Sequence, residues 1–170
     1  MKTSIALIVF AFSIGIISAQ EKFAVPQLTD DQKIEVLYSH MVAYAATGIS
    51  YAKSQGASAK DYGEFIGRKF TGYWNPEDGF GMLVNRIMFI LAGLHPDNQM
   101  QIVDQDEIGI TFKMKNVDLA FKNGPMFDIT FQDFLDCSEG ILSVIAKYMK
   151  STFSHEMTED GWYIVHLKKC

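Results

Sequence analysis

Ile108-Gly109-Ile110-Thr111-Phe112-Lys113-Met114-Lys115 is the stretch that decides the fold class of this chain. Apolar Ile108, Ile110, Phe112 and Met114 alternate with Gly109, Thr111, Lys113 and Lys115. A period of two marks a half-buried strand, whereas the chain before it repeats near 3.6, the helical period. Met100 and Ile102 with the polar residues between them predict the partner strand, and Asp104-Gln105-Asp106-Glu107 the turn between the two.

Working towards the N-terminus, Asn75-Pro76-Glu77-Asp78 reads as a helix start, with Asn as the cap, Pro at the first position and acids in the first turn. That helix is expected to run to Leu94, delayed a turn by Gly79 and Gly81 and stopped by Gly93 and Pro96. Ser58 caps an earlier helix with Tyr62, Phe65, Ile66, Phe70 and Tyr73 along one side, broken by Gly72 and Tyr73-Trp74-Asn75-Pro76. Earlier still, Thr29-Asp30-Asp31-Gln32 forms a capping box. Ile34, Leu37, Met41, Tyr44, Gly48 and Tyr51 or Ala52 then recur at three and four, one apolar stripe on a helix that ends at Gln55-Gly56.

Towards the C-terminus, Val117 to Phe127 is irregular, with a turn at Asn123-Gly124-Pro125. Thr130 and Asp133 cap a fourth helix whose apolar face continues to Phe153. Gly140 inside it costs about 1 kcal/mol against Ala and marks a close backbone contact. A second hairpin closes the chain. Glu156 to Thr158 leads in, Glu159-Asp160-Gly161 turns and Trp162 to Lys168 returns. The order ααα-ββ-α-ββ predicts an α+β fold, a helical layer packed on one face of a small antiparallel sheet.

The first residues carry an export pattern. Met1-Lys2 is a short positive start, Ile5 to Ile17 is apolar apart from Ser13 and Gly15, and Ser18-Ala19-Gln20 offers a small-residue cleavage site after Ala19. Residues 1–19 are therefore expected to be a signal peptide and residues 20–170 a single α+β domain, secreted or periplasmic. An uncleaved anchor is the alternative, disfavoured by the shortness of the run. No stable membrane span is expected after processing, since Ile87 to Leu94 is too short. The formal net charge is −5 with no basic stripe, which disfavours nucleic-acid binding.

Catalytic patterns are sparse. No nucleophile elbow, phosphate-cradling Gly loop or tight metal-ligand spacing occurs. His155 and His166 face each other across the last hairpin in this reading, yet His40, His95, His155 and His166 suggest no metal or haem site. Acids in turns, such as Asp104, Asp106, Glu159 and Asp160, fit turn chemistry. Cys137 and Cys170 allow two readings: a disulfide, because a returning strand matches the rise of the helix, or a buried thiol and a loose terminal one. The remaining signal is apolar, with 13 Phe, seven Tyr and nine Met in the chain. Tyr62, Phe65, Phe70, Tyr73, Trp74 and Phe80 cluster around the second helix. They serve either as core or as the wall of a cavity for an apolar or flat ligand.

Phe131 to Lys168 resembles a known group of domains. It reads as a helix with an early Cys, Phe134-Leu135-Asp136-Cys137-Ser138-Glu139-Gly140-Ile141. A hairpin follows, ending Asp160-Gly161-Trp162-Tyr163-Ile164-Val165-His166-Leu167-Lys168. This pattern is similar to the 4-vinyl reductase domain family, which shares a fold with haem-linked nitric-oxide sensor-associated domains and Golgi transport-particle components. The aminothiazoline carboxylate hydrolase family looks similar over the same third. The resemblance implies a domain that encloses a small apolar ligand, with Cys137, Ile141 and Ile145 as wall residues. Gly161-Trp162 stands where the vinyl reductase domains often carry Cys, and the Cys-Pro signature of the hydrolase group is absent.

These readings converge on an exported, non-enzymatic domain that binds a small apolar or aromatic molecule between helices and sheet. The expected ligand contacts are Tyr44, Tyr62, Phe65, Phe70, Tyr73, Trp74, Met88, Phe112, Cys137, Ile141 and Ile164, joined by Ile110. No metal, cofactor or catalytic residue is expected. The alternatives are an envelope or extracellular interaction module, with a homodimer in view, and a hydrolase using Cys137.

Overall fold

A computed structural model describes residues 27–95 and 97–170. The export reading of residues 1–19 and the helix stop at Pro96 lie outside the described residues. Helix α1 spans Asp30–Ser54, α2 Ala59–Phe70 and α3 Gly79–Ala92. Strands β1 (Gln99–Gln105) and β2 (Gly109–Lys115) follow, then α4 (Phe131–Tyr148), β3 (Ser151–Met157) and β4 (Tyr163–Lys169). The class is α+β, in the element order expected from the sequence. The strands pair antiparallel in the order β1-β2-β4-β3.

Local chemistry sets most boundaries. Thr29 and Gln32, Ser58 and Asp61, and Thr130 and Asp133 form reciprocal capping boxes at the starts of α1, α2 and α4. The glycines do delay α3: Pro76–Asp78 is a single 3-10 turn, Gly79 takes φ +78°, and the α-helix begins there. The Asp106 carboxylate accepts from the backbone N–H of Ile108 and Gly109, at 2.8 and 2.7 Å. The β1–β2 turn is thereby shorter than expected, and Ile108 falls in it, half exposed, rather than in the strand.

Helix α4 stops at Tyr148, short of the expected Phe153. Lys150 adopts φ +55° and turns the chain into a full strand from Ser151. This extra strand reverses the chain once more than the disulfide reading assumed. Cys170 therefore ends beside Lys150, donating its N–H to the Lys150 carbonyl at 3.0 Å. Cys137 sits in the first half of α4, more than three turns back from Lys150, and both thiols are free. The two histidines of the hairpin also part company. His155 pairs with Val165 on the inner face, while His166 pairs with Ser154 and Thr111 on the outer face.

One face of the sheet is buried. Ile110, Phe112 and Met114 of β2 and Tyr163, Val165 and Leu167 of β4 point inwards. Leu83, Ile87 and Leu91 of α3 and Leu142, Ile145 and Ala146 of α4 pack on that face. Helices α1 and α2 lie farther from the sheet, against α4, where Ala46, Ile49, Ala59, Ile129 and Cys137 make a second cluster. Helix α1 buries Val42, Ala46, Ile49 and Ala52. Of the apolar stripe read from the sequence, Ile34, Leu37, Met41, Tyr44 and Tyr51 are exposed, Gly48 is half-buried and Ala52, the alternative to Tyr51, is buried. Its bulky side chains meet other elements only at their edges, Met41 beside Phe70 and Ile90 and Ile34 and Leu37 beside Gly93, whereas Ala46 and Ala52 on the other face let α4 approach, with Lys53 paired to Asp133 at 2.7 Å.

Candidate functional site

The site begins with a close helix crossing. Helix α2 turns Ala59, Gly63 and Gly67 inwards, and α4 answers with Gly140. A methyl group at Gly63 would strike the Cys137 carbonyl, one at Gly140 the Lys60 carbonyl, and one at Gly67 the Ile141 carbonyl oxygen at 2.9 Å. Backbone therefore meets backbone along this seam, and the large side chains of α2 must project past it. Tyr62, Ile66 and Phe70 do so into the space that α1 and α3 leave open.

That space is a cavity of about 440 Å³, within the range of small-molecule sites. Met41, Val42, Ala45 and Ile49 of α1 form one wall, and Ile90 and Leu91 of α3 with Leu94 another. Phe134, Cys137, Ile141 and Leu142 of α4 close the back. Among the described residues, no charged or imidazole side chain contributes to the lining. The Ser138 hydroxyl donates to the Phe134 carbonyl at 2.9 Å and so is satisfied by its own helix. Burial pushes the Cys137 thiol up to about 11. It is neutral near pH 7, a poor nucleophile and a poor metal ligand. Among the described residues, no group of three or more His, Cys, Asp or Glu is placed to hold a metal ion.

Of the residues expected to contact a ligand, Tyr62, Phe70, Cys137 and Ile141 line this cavity. The others go elsewhere. Tyr44, Phe65 and Tyr73 project into solvent, Tyr44 and Tyr73 at 77 % and 79 % exposure. Trp74 is buried beneath the Arg86 guanidinium, 5.2 Å from its ring centre. Met88 packs at the edge of the main core. Ile110 and Phe112 belong to that core itself. Ile164 pairs with Lys113 and Glu156 on the outer sheet face, because side chains alternate along β4. The cavity thus lies one layer out from the expected position, among helices rather than between helices and sheet. Val42, Ala45 and Ile49 of α1, and Ile90 and Phe134, were not among the expected contacts, while Ile66 was expected only to share a side of α2 with Tyr62 and Phe70. The spacing Gly63-x-x-x-Gly67 is the signal that would have oriented α2 correctly.

A polar cluster flanks the same α2–α4 seam. Lys60 donates to Glu139 at 2.8 Å, and His155 Nε2 lies 3.7 Å from the other carboxylate oxygen. The Lys60 hydrogen bond, and next to it the charge of Lys60, hold the Glu139 carboxyl below its ordinary value against the opposing effect of burial. A depressed carboxyl stabilises the fold above its unfolded value, about 4.3, and loses that contribution as pH falls through the lower folded value. Glu139→Gln is accordingly expected to be less stable than wild type near neutral pH, with the gap closing under acid. Thermal midpoints of both proteins across an acid titration check this; a gap that stays constant to low pH would remove the pair from the stability account.

A scan against protein-family models gives no match, and a search of curated proteins gives none either. Among solved structures, the chain is similar to the Fe(II) unliganded H-NOX protein of K. algicida, in two crystal structures. The one of a single-site mutant aligns at TM-score 0.37 and 10 % identity over 87 % of this chain and 77 % of that one. The other aligns at TM-score 0.36 and 13 % identity over 70 % and 67 %. At such scores the likeness says nothing of a ligand for this chain.

Proposed function

We propose that this chain is an exported, non-enzymatic binding domain that holds a small apolar molecule among α1, α2, α3 and α4. The observation that carries the reading is the cavity of about 440 Å³ with an apolar wall and a neutral thiol. Such a space offers contact area and excludes charge, so it selects for flat or aliphatic guests that make few hydrogen bonds. Met41, Phe70 and Cys137 suit soft, adaptable contacts. The export reading rests on Met1 to Gln20. No helix among the described residues is long and apolar enough to cross a membrane.

Native mass spectrometry of the protein from its own host tests both parts. The expected spectrum shows a chain beginning at Gln20 and carrying one apolar adduct that is lost on denaturation. In parallel, aminoanthracene, a neutral flat fluorophore, is expected to bind saturably at one site. Ala45→Trp, which places an indole in the cavity, is expected to weaken that binding by a hundredfold or more, on the order of 3 kcal/mol. An adduct-free protein that also leaves the fluorophore unbound would overturn the reading.

A further inference from the structure

Helix α1 carries an apolar stripe that the core leaves exposed. Ile34, Leu37, Met41 and Tyr44 follow one another at three and four residues, the spacing of a coiled-coil seam. The face α1 turns to its own chain is a different one, centred on Val42, Ala46 and Ile49. Leu37 is 68 % exposed and Tyr44 77 %. The stripe continues into neighbouring surface. Ile34, Leu37 and Met41 border a shallow groove against Ala92, Gly93 and His95. Met41 also meets the cavity with Phe70 and Ile90, and Ile90 adjoins Phe89, which is 83 % exposed.

We propose that this face docks a second copy of the chain, α1 against α1. Area is the first argument. With large apolar side chains at on the order of 150–200 Å² each, the exposed fractions of the stripe with Phe70, Phe89 and Ile90 amount to roughly 650–850 Å². That range takes in the roughly 800 Å² each partner gives to a standard interface and lies above the largest patch common on monomers, about 300–600 Å². Self-complementarity is the second. Antiparallel pairing of two α1 helices layers Ile34 on Tyr44 and Leu37 on Met41, apolar on apolar in both halves, as a two-fold contact requires. The positions flanking the stripe are Lys33, Tyr38, His40, Ala45 and Thr47, so carboxylates do not oppose one another across the seam. Charge argues against a lipid surface: α1 opens with Asp30 and Asp31 and bears Glu35 on a chain of net charge −5, which anionic headgroups repel. The proposal does not depend on the cavity holding a ligand.

Sedimentation velocity of the chain from Gln20 onwards, from micromolar to hundreds of micromolar, is the test. Wild type is expected at twice the protomer mass. Leu37→Glu/Tyr44→Glu, which would bury two charges in the seam, is expected to raise the dissociation constant by roughly a hundredfold or more. Its far-UV circular dichroism and aminoanthracene binding are expected to stay at wild-type values, because neither side chain touches the cavity. If the double variant fails to fold, Tyr44→Ser alone replaces it. A wild type that is monomeric throughout overturns the proposal, and one that is monomeric yet floats with phosphatidylcholine vesicles assigns the face to lipid instead. A dimer untouched by the substitutions overturns it too, by placing the interface elsewhere.

Discussion

Gly63→Ala is expected to lower stability by about 2–3 kcal/mol, although the same change in an open helix raises it. Replacing Gly by Ala inside a helix ordinarily gains up to about 1 kcal/mol in propensity. At Gly63 the added methyl meets the Cys137 carbonyl, and behind it the Cys137 backbone. Backbone cannot rotate aside as a side-chain tip can, so α2 and α4 must separate along the seam. The displacement would reach Gly67 and Gly140, which rely on the same close approach. For a chain of this size the midpoint is expected to fall by about 5–10 °C. Gly81→Ala in α3 is the matched control: its methyl meets nothing within 4 Å and its backbone is not left-handed. Equal shifts in urea or thermal unfolding for the two variants would contradict the proposed tightness of the seam.

The seam also explains what could be read from the sequence and what could not. Signals carried within a few residues were legible. The hydroxyl-to-acid or amide spacings at Thr29, Ser58 and Thr130 became caps, and the alternation at Ile110, Phe112 and Met114 became a buried strand face. Of the signals that depend on a distant partner, Gly140 was read as a close backbone contact, and the α2–α4 seam has it; the others were not legible. Helix α1 offers two plausible faces, and the bulkier stripe looked like the core. Yet α4 can reach only the face with small side chains, so packing overrode size. The end of α4 was hidden because Tyr148, Met149 and Phe153 fit a helix as well as a strand. The deciding residue, Lys150, takes a left-handed conformation without being Gly or Asn. Cys137 and Ile141 were read as wall residues from the resemblance over Phe131 to Lys168, and Tyr62 and Phe70 because large or soft side chains that could gather near the second helix were counted. Tyr44, Phe65 and Tyr73 entered by the same rule and face water. A cavity is a gap between elements, and a sequence records side chains rather than gaps.

Phe112→Ala is expected to cost about 3–5 kcal/mol and to leave ligand binding unchanged. The ring is fully buried on the inner sheet face, with Val165 opposite it on β4 and Ile102 on β1. Removing it leaves a void that the neighbouring strands cannot close without breaking register, because a one-residue slip would turn every inward side chain outwards. The midpoint is expected to fall by about 10 °C or more. Helix α4 and its cluster with α3 stand between this void and the cavity among the helices. Aminoanthracene affinity, measured well below the unfolding transition, should therefore stay within about twofold of wild type. Phe70→Ala has the opposite profile, a modest loss of stability for a ring 47 % exposed and a clear loss of affinity, since Phe70 forms part of the wall. The pair separates the two layers of the molecule. If folded Phe112→Ala lost the fluorophore while Phe70→Ala kept it, the guest would lie against the sheet and the helical cavity would be bystander space.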